Sequence, residues 1–267
     1  MGDFCLIANV KHRLDTYLGM YVEYSKNFPR IAHEILKEKQ SDHTVIDIGA
    51  NIGDTAALLR TYGVKNTIHC IEGDDIYFSY LQANSTMFDN VCLLKYYLTD
   101  KVTQKGFVVQ NSIGSARILE SSDVAYDSKL TTLDELAVIH DLGSIAIIKI
   151  DTDGYDTKII RGSLQTIKKH KPVLFFEYDC DLSKIQNEKP IEVLALLAEN
   201  GYNKIMYFDN FGRFMLATSL DNKDQLGFLD RYIQKGQGAV PYYDVFIFPK
   251  EDIELYEKIV AAEINQQ

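Results

Sequence analysis

The sequence predicts an α/β fold in which a doubly wound, mainly parallel sheet of seven strands follows N-terminal helices. Short apolar, β-branched runs alternate with helix-length segments through five units, which is typical of parallel sheets with helices on both faces. The run 145–150 is apolar almost throughout, as expected of a strand that is buried on both faces. Several runs end in glycine or in an acidic residue, residue types that form ligand sites at strand ends. We therefore expect a helical extension over residues 1–42 and one α/β domain over residues 43–267.

Each element is predicted from its local pattern. Residues 9–40 carry apolar side chains at helical spacing with an interruption near Pro29, which predicts two helices. Thr132 and Glu135 fit a capping box and Pro190 suits a first helical turn, so helices are expected from 132 and over 190–200. The predicted strands are 44–48, 67–71, 91–98, 145–150, 173–176, 204–208 and 245–248, with short strands near 107–109 and 214–216. The other predicted helices are 52–62, one through Phe78 and Leu81, 155–167, 226–234 and 251–263, and loop chemistry is expected at 111–115.

Composition excludes several classes of function. The 267 residues carry a formal net charge of −10, whereas an extended nucleic-acid or anionic-membrane surface needs clustered Lys and Arg. No apolar run approaches the roughly 20 residues of a transmembrane span and no leader pattern opens the chain, so we expect a cytoplasmic protein. The four cysteines form no C-x-x-C pair. Cys70 and Cys92 lie within apolar runs, which predicts buried thiols.

A glycine-containing turn and an acidic strand end together predict a nucleoside ligand. Gly49 lets the chain turn tightly away from the first strand, and Gly53 allows close packing where the next helix begins. Glu72 ends the second strand, about twenty residues past the turn, where a carboxylate can accept both hydroxyls of a ribose.

The residues of this turn favour S-adenosylmethionine over a dinucleotide. A dinucleotide-binding turn has a second glycine that admits the pyrophosphate, and here Asn51 takes that position. Asp47 would repel a phosphate, but it suits the amino-acid portion and the cationic sulfonium of the methyl donor. Two rival classes stay open: a nicotinamide-dependent oxidoreductase, which would share the sheet and Glu72, and a non-catalytic nucleoside-binding protein, which would lack acidic residues at the fourth strand end.

Acidic residues cluster where the fourth strand ends. Asp151, Asp153 and Asp156 fall within six residues, and any of them can take a proton from an acceptor hydroxyl, although Asp156 can equally cap the next helix. Lys149 stands in an otherwise apolar strand and is expected to pair with a carboxylate, while Glu177 can orient Lys149 or the acceptor. The D-x-D spacing resembles Mg²⁺ or Ca²⁺ ligation, but the sequence offers no clear third ligand, so no metal is assigned. Three tyrosines can stack on an acceptor ring or pack in the core: Tyr155, Tyr178 and Tyr207.

These strand ends resemble the FkbM family of S-adenosylmethionine-dependent methyltransferases, which implies a Rossmann-like class I methyltransferase fold. The segments 45–53, 71–72 and 148–162 carry the resemblance, within a match over roughly half of the chain. The first segment is shared by many methyltransferases, and the third is more specific to the family. The family commonly has Glu where this chain has Asp153 and Asp156, so both carboxylates stand on shorter arms here.

The resemblance implies a function, cofactor contact by Asp47, Gly49, Asn51 and Glu72, and a role near the methyl group for Asp151. Family members typically O-methylate sugars or polyketide-like metabolites, and many are linked to bacterial surface polysaccharides. We therefore expect a small-molecule or glycan acceptor. The N-terminal helices and the irregular stretch 99–130 are expected to shape the site that binds it, because loops around a rigid sheet usually determine specificity. The chain is compatible with a homo-oligomer. The residues expected to bind the cofactor are Asp47, Gly49, Ala50, Asn51, Gly53, Asp54, Glu72, Gly73 and Thr99. The expected catalytic residues are Asp151, Lys149, Asp153, Asp156 and Glu177.

Overall fold

Eleven helices and twelve strands are seen in the computed structural model, which describes residues 1–10, 12–39, 42–101, 106–112, 115–121, 130–234 and 240–266. The helices are α1 (Leu14–Met20), α2 (Asn27–Glu38), α3 (Asp54–Thr61), α4 (Asp75–Ser85), α5 (Leu133–Ile139), α6 (Asp156–Arg161), α7 (Leu164–His170), α8 (Cys180–Ile185), α9 (Pro190–Glu199), α10 (Lys223–Gln234) and α11 (Ile253–Gln266), with a 3-10 turn at Lys250–Asp252. The strands are β1 (His43–Ile48), β2 (Ile68–Ile71), β3 (Val91–Leu94), β4 (Tyr97–Leu98), β5 (Gly106–Ser112), β6 (Ser115–Ser121), β7 (Leu130–Thr131), β8 (Ser144–Ile150), β9 (Val173–Tyr178), β10 (Tyr202–Asp209), β11 (Phe214–Ser219) and β12 (Tyr243–Pro249).

The main sheet has the strand order β11-β10-β12-β9-β8-β1-β2-β3. Strands β3, β2, β1, β8 and β9 are mutually parallel, whereas β12, β10 and β11 join by antiparallel pairing. The α/β fold class is confirmed, and the sheet carries an eighth strand because the short segment predicted near 214–216 pairs with β10 at the sheet edge. The chain order reverses between β1 and β8, so the carboxyl ends of these strands flank the crevice where open α/β sheets bind ligands.

Helices cover both faces of the sheet because its central strands are apolar on both sides. In β8, Ile148 and Ile150 pack into one buried cluster with α5, α6, α7, α9 and α10. Ile147 points to the opposite face, where it packs with α2, α3, α4 and α11. Helix α2 buries its apolar stripe in this second cluster, whereas α1 buries none of its residues.

Several details differ from the sequence predictions. The strand predicted over 91–98 breaks after Leu94, and Tyr97–Leu98 pairs instead with β7, which carries this part of the chain out of the main sheet. Cys92 is exposed, since β3 is the edge strand, whereas Cys70 is buried as predicted. The helix predicted over 155–167 is divided into α6 and α7 at Gly162, where a Cβ atom would overlap the backbone oxygen of Thr99.

Other local predictions are confirmed. Thr132 and Glu135 form the predicted capping box of α5, and Pro190 occupies the first turn of α9. The interruption predicted near Pro29 lies just before it, at residues 21–26, and Pro29 itself stands in the first turn of α2. The loop predicted over 111–115, by contrast, is wrong at 111–112 and at 115, which lie in the paired strands β5 and β6, and residues 113–114 lie outside the described residues. Residues 102–105 and 122–129 of the stretch 99–130 also lie outside the described residues. Within the described parts of the chain, no helix is both long enough and apolar enough to cross a bilayer.

Candidate functional site

A cleft of about 760 Å³ opens at the carboxyl edge of the parallel strands. Its floor is formed by the ends of β1, β2, β8 and β9, and residues 12–14 with Tyr17 line it from the N-terminal segment. The volume falls within the roughly 300–1,000 Å³ of typical small-molecule sites. Predicted site residues that line it are Gly49, Asn51, Asp54, Glu72, Gly73, Lys149, Asp151, Asp153 and Glu177.

The turn after β1 is fixed by backbone hydrogen bonds to the strands on either side. The amides of Gly49 and Ala50 donate to the Ile71 oxygen at 2.9 and 3.1 Å, and the Asp151 amide donates to the Ile48 oxygen at 3.0 Å. Gly49 has a φ of +79°, and a Cβ atom there would overlap the backbone oxygen of Asp151, so this position requires glycine. The turn therefore sits rigidly between β2 and β8.

Two residues of the turn serve the packing beneath the cleft rather than its lining. Ala50 is buried among apolar side chains. Gly53 has a φ of +88° and lies against Leu81, at the start of α3. Ala50 and Gly53 therefore shape the turn but do not line the cleft in which a cofactor would bind.

Glu72 is held in place by two backbone amides. Its Oε2 accepts a hydrogen bond from the Asn51 amide at 3.0 Å, and its Oε1 accepts one from the Asp74 amide at 2.8 Å. Burial raises the pKa of the Glu72 carboxyl to about 7, against the opposing effect of these hydrogen bonds. Beside it, Gly73 lies so close to the Tyr97 ring that a Cβ atom would overlap it. The carboxyl is thus oriented at the cleft floor with aromatic surface next to it.

Lys149 joins two carboxylates at the strand ends. Its Nζ lies 3.2 Å from Asp47 Oδ1 and 3.1 Å from Asp151 Oδ2, and Asp47 is its register neighbour on β1. Burial opposes the charge of Lys149, but Asp151, Asp47 and Asp54 together outweigh it and raise the Lys149 pKa. Asp47 is fully buried, and this burial raises its pKa to about 6 despite the Lys149 charge. The predicted pairing of Lys149 is confirmed, and Asp47 lies beneath the cleft rather than in its lining.

The acidic turn after β8 divides into exposed and buried carboxyls. The Asp151 side chain keeps 45% of its surface exposed, and Asp153 also lines the cleft. Asp156 is buried, and its Oδ2 accepts hydrogen bonds from Thr152 Oγ1 at 3.0 Å and from the Gly154 amide at 3.3 Å. Burial raises the pKa of Asp156 to about 7. Asp156 therefore stabilises the turn that precedes α6, and no side-chain cap hydrogen bond is seen among the described residues at the start of this helix.

A small recess of about 60 Å³ adjoins the cleft on the side of α2. Glu177 on β9 and Asp244 on β12 are register partners, so their side chains lie next to each other on one face of the sheet. Burial raises the pKa of Asp244 to about 7 and that of Glu177 well above its ordinary range, where the carboxylates of Asp151 and Asp156 raise it further. Asn27 Nδ2 donates to Asp244 Oδ2 at 2.9 Å.

The residues of this recess that sequence patterns did not identify include Tyr24, Asn27, Asn210, Tyr242 and Asp244. A usable signal was present, because Asp244 directly precedes the predicted strand 245–248. In an antiparallel strand the beginning lies at the same sheet edge as the ends of its parallel neighbours. The N-terminal segment was expected to shape the acceptor site, but the contribution of His12 and Arg13 to the cleft was not predicted.

The four remaining predicted residues are buried, and Tyr155 alone among these four lines the cleft. Thr99 is buried and its amide donates to the Thr131 oxygen at 3.0 Å, outside the cleft lining. Tyr178 and Tyr207 pack in the core, whereas Tyr155 is buried with one side on the cleft. Among the residues that the structure describes, no three His, Cys, Asp or Glu side chains are grouped in a way that could hold a metal ion.

Residues 47–204 match the family model described as the methyltransferase FkbM domain. Solved structures with a similar fold include the FkbM methyltransferase of Methylobacillus flagellatus KT, at 18% identity and a TM-score of 0.40, over 61% of this chain and 39% of that one. This chain therefore spans well under half of that protein's length. Others are a precorrin-6y C5,15-methyltransferase of Geobacter metallireducens GS-15 (13% identity, TM-score 0.42, 82% and 87% of the two chains) and a methyltransferase of Pyrococcus furiosus (15% identity, TM-score 0.40, 83% and 82%). No similar sequence was found among curated proteins.

Proposed function

Because the chain belongs to the FkbM methyltransferase family, we propose that it transfers a methyl group from S-adenosylmethionine to a hydroxyl oxygen of a sugar or glycan. The observation that carries this proposal is that Gly49, Asn51 and Glu72 line the same cleft as the ion pair of Lys149 and Asp151. A site for a nucleoside and a site for moving a proton are thus combined in one cavity.

The Glu72 side of the cleft fits the adenosyl part of the donor. Each Glu72 oxygen accepts one backbone amide, and a carboxylate has about four lone-pair sites, so acceptor capacity is left for ribose hydroxyls. Gly73 leaves room beside the carboxyl, and Tyr77, Tyr96 and Tyr97 provide aromatic surface for a purine. This donor set supports binding of S-adenosylmethionine by the chain's own residues.

The charges in the cleft favour a cationic ligand over a pyrophosphate. The carboxyl groups that line it outnumber the cationic side chains of Arg13 and Lys149, and Lys149 is already engaged by two carboxylates. These carboxyl groups include those of Asp54, Asp151, Asp153 and Glu177. A dinucleotide would place two phosphate charges close to these acidic groups, which is unfavourable at short range. The positively charged sulfonium of the methyl donor has the complementary sign, and this favours it over a nicotinamide nucleotide.

Asp151 is the carboxylate best placed to accept the proton of the acceptor hydroxyl. It is partly exposed to the cleft and is oriented by Lys149. Burial raises the pKa of Glu177 well above its ordinary range, and among the described residues Glu177 has no cationic partner like the one that orients Asp151, so we assign the base to Asp151. When bound, S-adenosylmethionine supplies an electrophilic methyl group, and the protein supplies alignment, a shielded cleft and the carboxylate base.

The donor site is tested by calorimetry with S-adenosylhomocysteine, S-adenosylmethionine and NAD. We expect the adenosyl ligands to bind and Glu72→Ala to weaken them about tenfold to hundredfold, since hydrogen bonds to a charged group contribute roughly 1.5–3 kcal/mol. Glu199→Gln, an exposed position at the end of α9, is the matched control and should bind as the parent does. Undiminished binding by Glu72→Ala, or tighter binding of NAD, would refute the assignment.

The catalytic assignment is tested by mass spectrometry of acceptors after incubation with the donor. The panel contains sugar nucleotides, oligosaccharides and polyketide-like alcohols, with a chelator present or absent, and product is scored as the mass gain of one methylene group. Asp151→Asn should lower kcat about 10²- to 10⁴-fold while leaving donor affinity within a fewfold range, because it removes a general base and keeps the side-chain shape. Full turnover by Asp151→Asn would exclude Asp151 as the base.

A further inference from the structure

The recess beside the cleft is unusually rich in hydrogen-bond acceptors. Four carboxyl groups line it, from Asp54, Asp151, Glu177 and Asp244, and Lys149 is the single cationic side chain among its described lining residues. The topology explains this composition. Lys149, Glu177 and Asp244 lie at the ends of neighbouring strands and point to the face that α2 covers.

A buried amide oxygen in the same recess has no hydrogen-bond donor. Asn27 is 1% exposed, and its Nδ2 donates to Asp244 while its Oδ1 accepts nothing from the protein. The Asn210 Oδ1, also in the lining, is likewise buried without a donor. Buried polar atoms are normally hydrogen-bonded, so these two oxygens indicate that the recess receives a group with several N–H or O–H donors.

The charge of that group follows from its surroundings. A negative group would meet four carboxyls, and a neutral hydroxyl offers one donor to at least three acceptors. An ammonium group offers three donors and one positive charge, which matches the Asn27 oxygen together with Glu177 and Asp244. The Tyr24 and Tyr242 rings on the walls add a favourable surface for a cation.

We propose, on the basis of the methyl transfer proposed above, that the recess binds a protonated amine of the acceptor. The substrate is then a hydroxyl compound that carries an ammonium group, such as an amino sugar or an amino alcohol. The volume of about 60 Å³ accommodates a group comparable in size to a few water molecules, so the amine enters while the rest of the acceptor stays in the cleft.

The amine is an anchoring group and the hydroxyl is the methyl acceptor. A nitrogen that the carboxylates hold protonated has no lone pair with which to attack a methyl group. At the hydroxyl, the O–H bond breaks as its proton passes to Asp151 and the new O–C bond forms, while the electron pair of the broken C–S bond stays with sulfur. The recess therefore determines which hydroxyl of the acceptor reaches the donor.

The test compares two pairs of probes that differ only in the amine. Ethanolamine is compared with ethylene glycol, and methyl glucosaminide with methyl glucoside, by saturation-transfer NMR and calorimetry at constant ionic strength, with and without S-adenosylhomocysteine. We expect the amine of each pair to bind at least about tenfold more tightly, because its contacts are charge-assisted. Equal affinity within both pairs, including a lack of measurable binding by either member, would overturn the proposal.

Variants distinguish binding of the amine in the recess from its general electrostatic attraction to a protein of net charge −10. Asp244→Asn and Glu177→Gln should each abolish most of the amine preference, and Asn27→Ala should reduce it without a change in charge. The matched controls Asp224→Asn and Glu199→Gln alter exposed positions and should retain it. Circular dichroism checks that each variant is folded. If Glu177→Gln unfolds, Asp244→Asn alone tests the proposal, because the asparagine oxygen can still accept the hydrogen bond from Asn27 Nδ2 and so preserve the fold. An amine preference that persists in the folded recess variants would also refute the proposal.

The two proposals fail in distinguishable ways. Amine preference with no affinity for S-adenosylhomocysteine would contradict the methyl-donor assignment and leave the recess as a cation site. Methylation of neutral alcohols at the same kcat/KM as their amino analogues would contradict the recess assignment and leave the methyltransferase activity intact.

Discussion

Replacing Asp244 by Asn should make the unliganded protein more stable at alkaline pH than the parent. The Asp244 carboxyl lies among Glu177, Asp151 and Asp209, and its pKa is raised from 3.8 to about 7, mainly by burial. Asparagine has nearly the same shape, and its oxygen can keep the 2.9 Å hydrogen bond from Asn27 Nδ2. The substitution therefore removes an unfavourable charge and leaves the packing in place.

The magnitude follows from proton binding. Because the pKa is higher in the folded protein, the folded state binds a proton that the unfolded chain has already lost, and this stabilisation disappears as the pH rises toward about 7. Between pH 5 and pH 7 the loss is about two pH units at roughly 1.36 kcal/mol each, or about 2.7 kcal/mol at most. Since Glu177 and Asp244 share one electrostatic environment, we expect a measured difference of about 1–3 kcal/mol.

Urea denaturation followed by circular dichroism at pH 5 and pH 8 measures this effect. The parent should lose stability between the two values, and Asp244→Asn should lose about 1–3 kcal/mol less. Asp224→Asn, an exposed aspartate on α10, should follow the parent. Parallel pH profiles for the parent and Asp244→Asn would refute the claim that a buried, proton-binding carboxyl sits at this position.

Three further predictions concern residues that hold the site together. Lys149→Met should destabilise the protein by about 3–5 kcal/mol in thermal or urea unfolding, because it leaves the buried Asp47 without its 3.2 Å partner, and adding Asp47→Asn should restore a large part of the loss. Gly49→Ala should lower the free energy of unfolding by more than about 1–2 kcal/mol, because a φ of +79° disfavours alanine and the added Cβ would overlap backbone. Gly19→Ala, which has open space around it, should be neutral or stabilising. Equal melting temperatures for the two variants would contradict this prediction. Thr132→Ala should cost about 1 kcal/mol by removing the capping box of α5, and a Thr132→Ser variant that is as unstable as Thr132→Ala would argue against the hydroxyl cap.

The local parts of the site are predictable from sequence because they depend on neighbours in the chain. Gly49 and Glu72 follow apolar runs that could only be strands of a parallel sheet, and parallel strands end at the same edge. Lys149 stands out because a lysine in a buried strand needs a carboxylate partner. In each case the residue type and its distance from the end of a strand are sufficient for the prediction.

The remaining parts depend on contacts between residues distant in sequence. Asn27 and Asp244 are separated by 217 positions, and they meet only because α2 covers the face of β12 that also carries Phe246. The end of β3 at Leu94 could not be predicted either, since the apolar pattern continues to Leu98 and the break reflects pairing of β4 with β7. Asp156 shows the same limit, because burial and two hydrogen bonds, rather than its residue type, assign it to the turn.

The acidic edge of the sheet makes physical sense only with positively charged partners. Burial raises the pKa values of Asp47, Glu72, Asp244 and Glu177, so the unliganded chain loses stability at neutral pH by keeping these groups. Apolar or amide side chains of similar volume would avoid that cost, as the Asp244→Asn prediction illustrates. An ammonium beside Glu177 and Asp244 would compensate part of it on binding. Binding of the amine should therefore stabilise the protein more at pH 8 than at pH 5, because Asp244, whose pKa is raised to about 7, is ionised only at the higher pH.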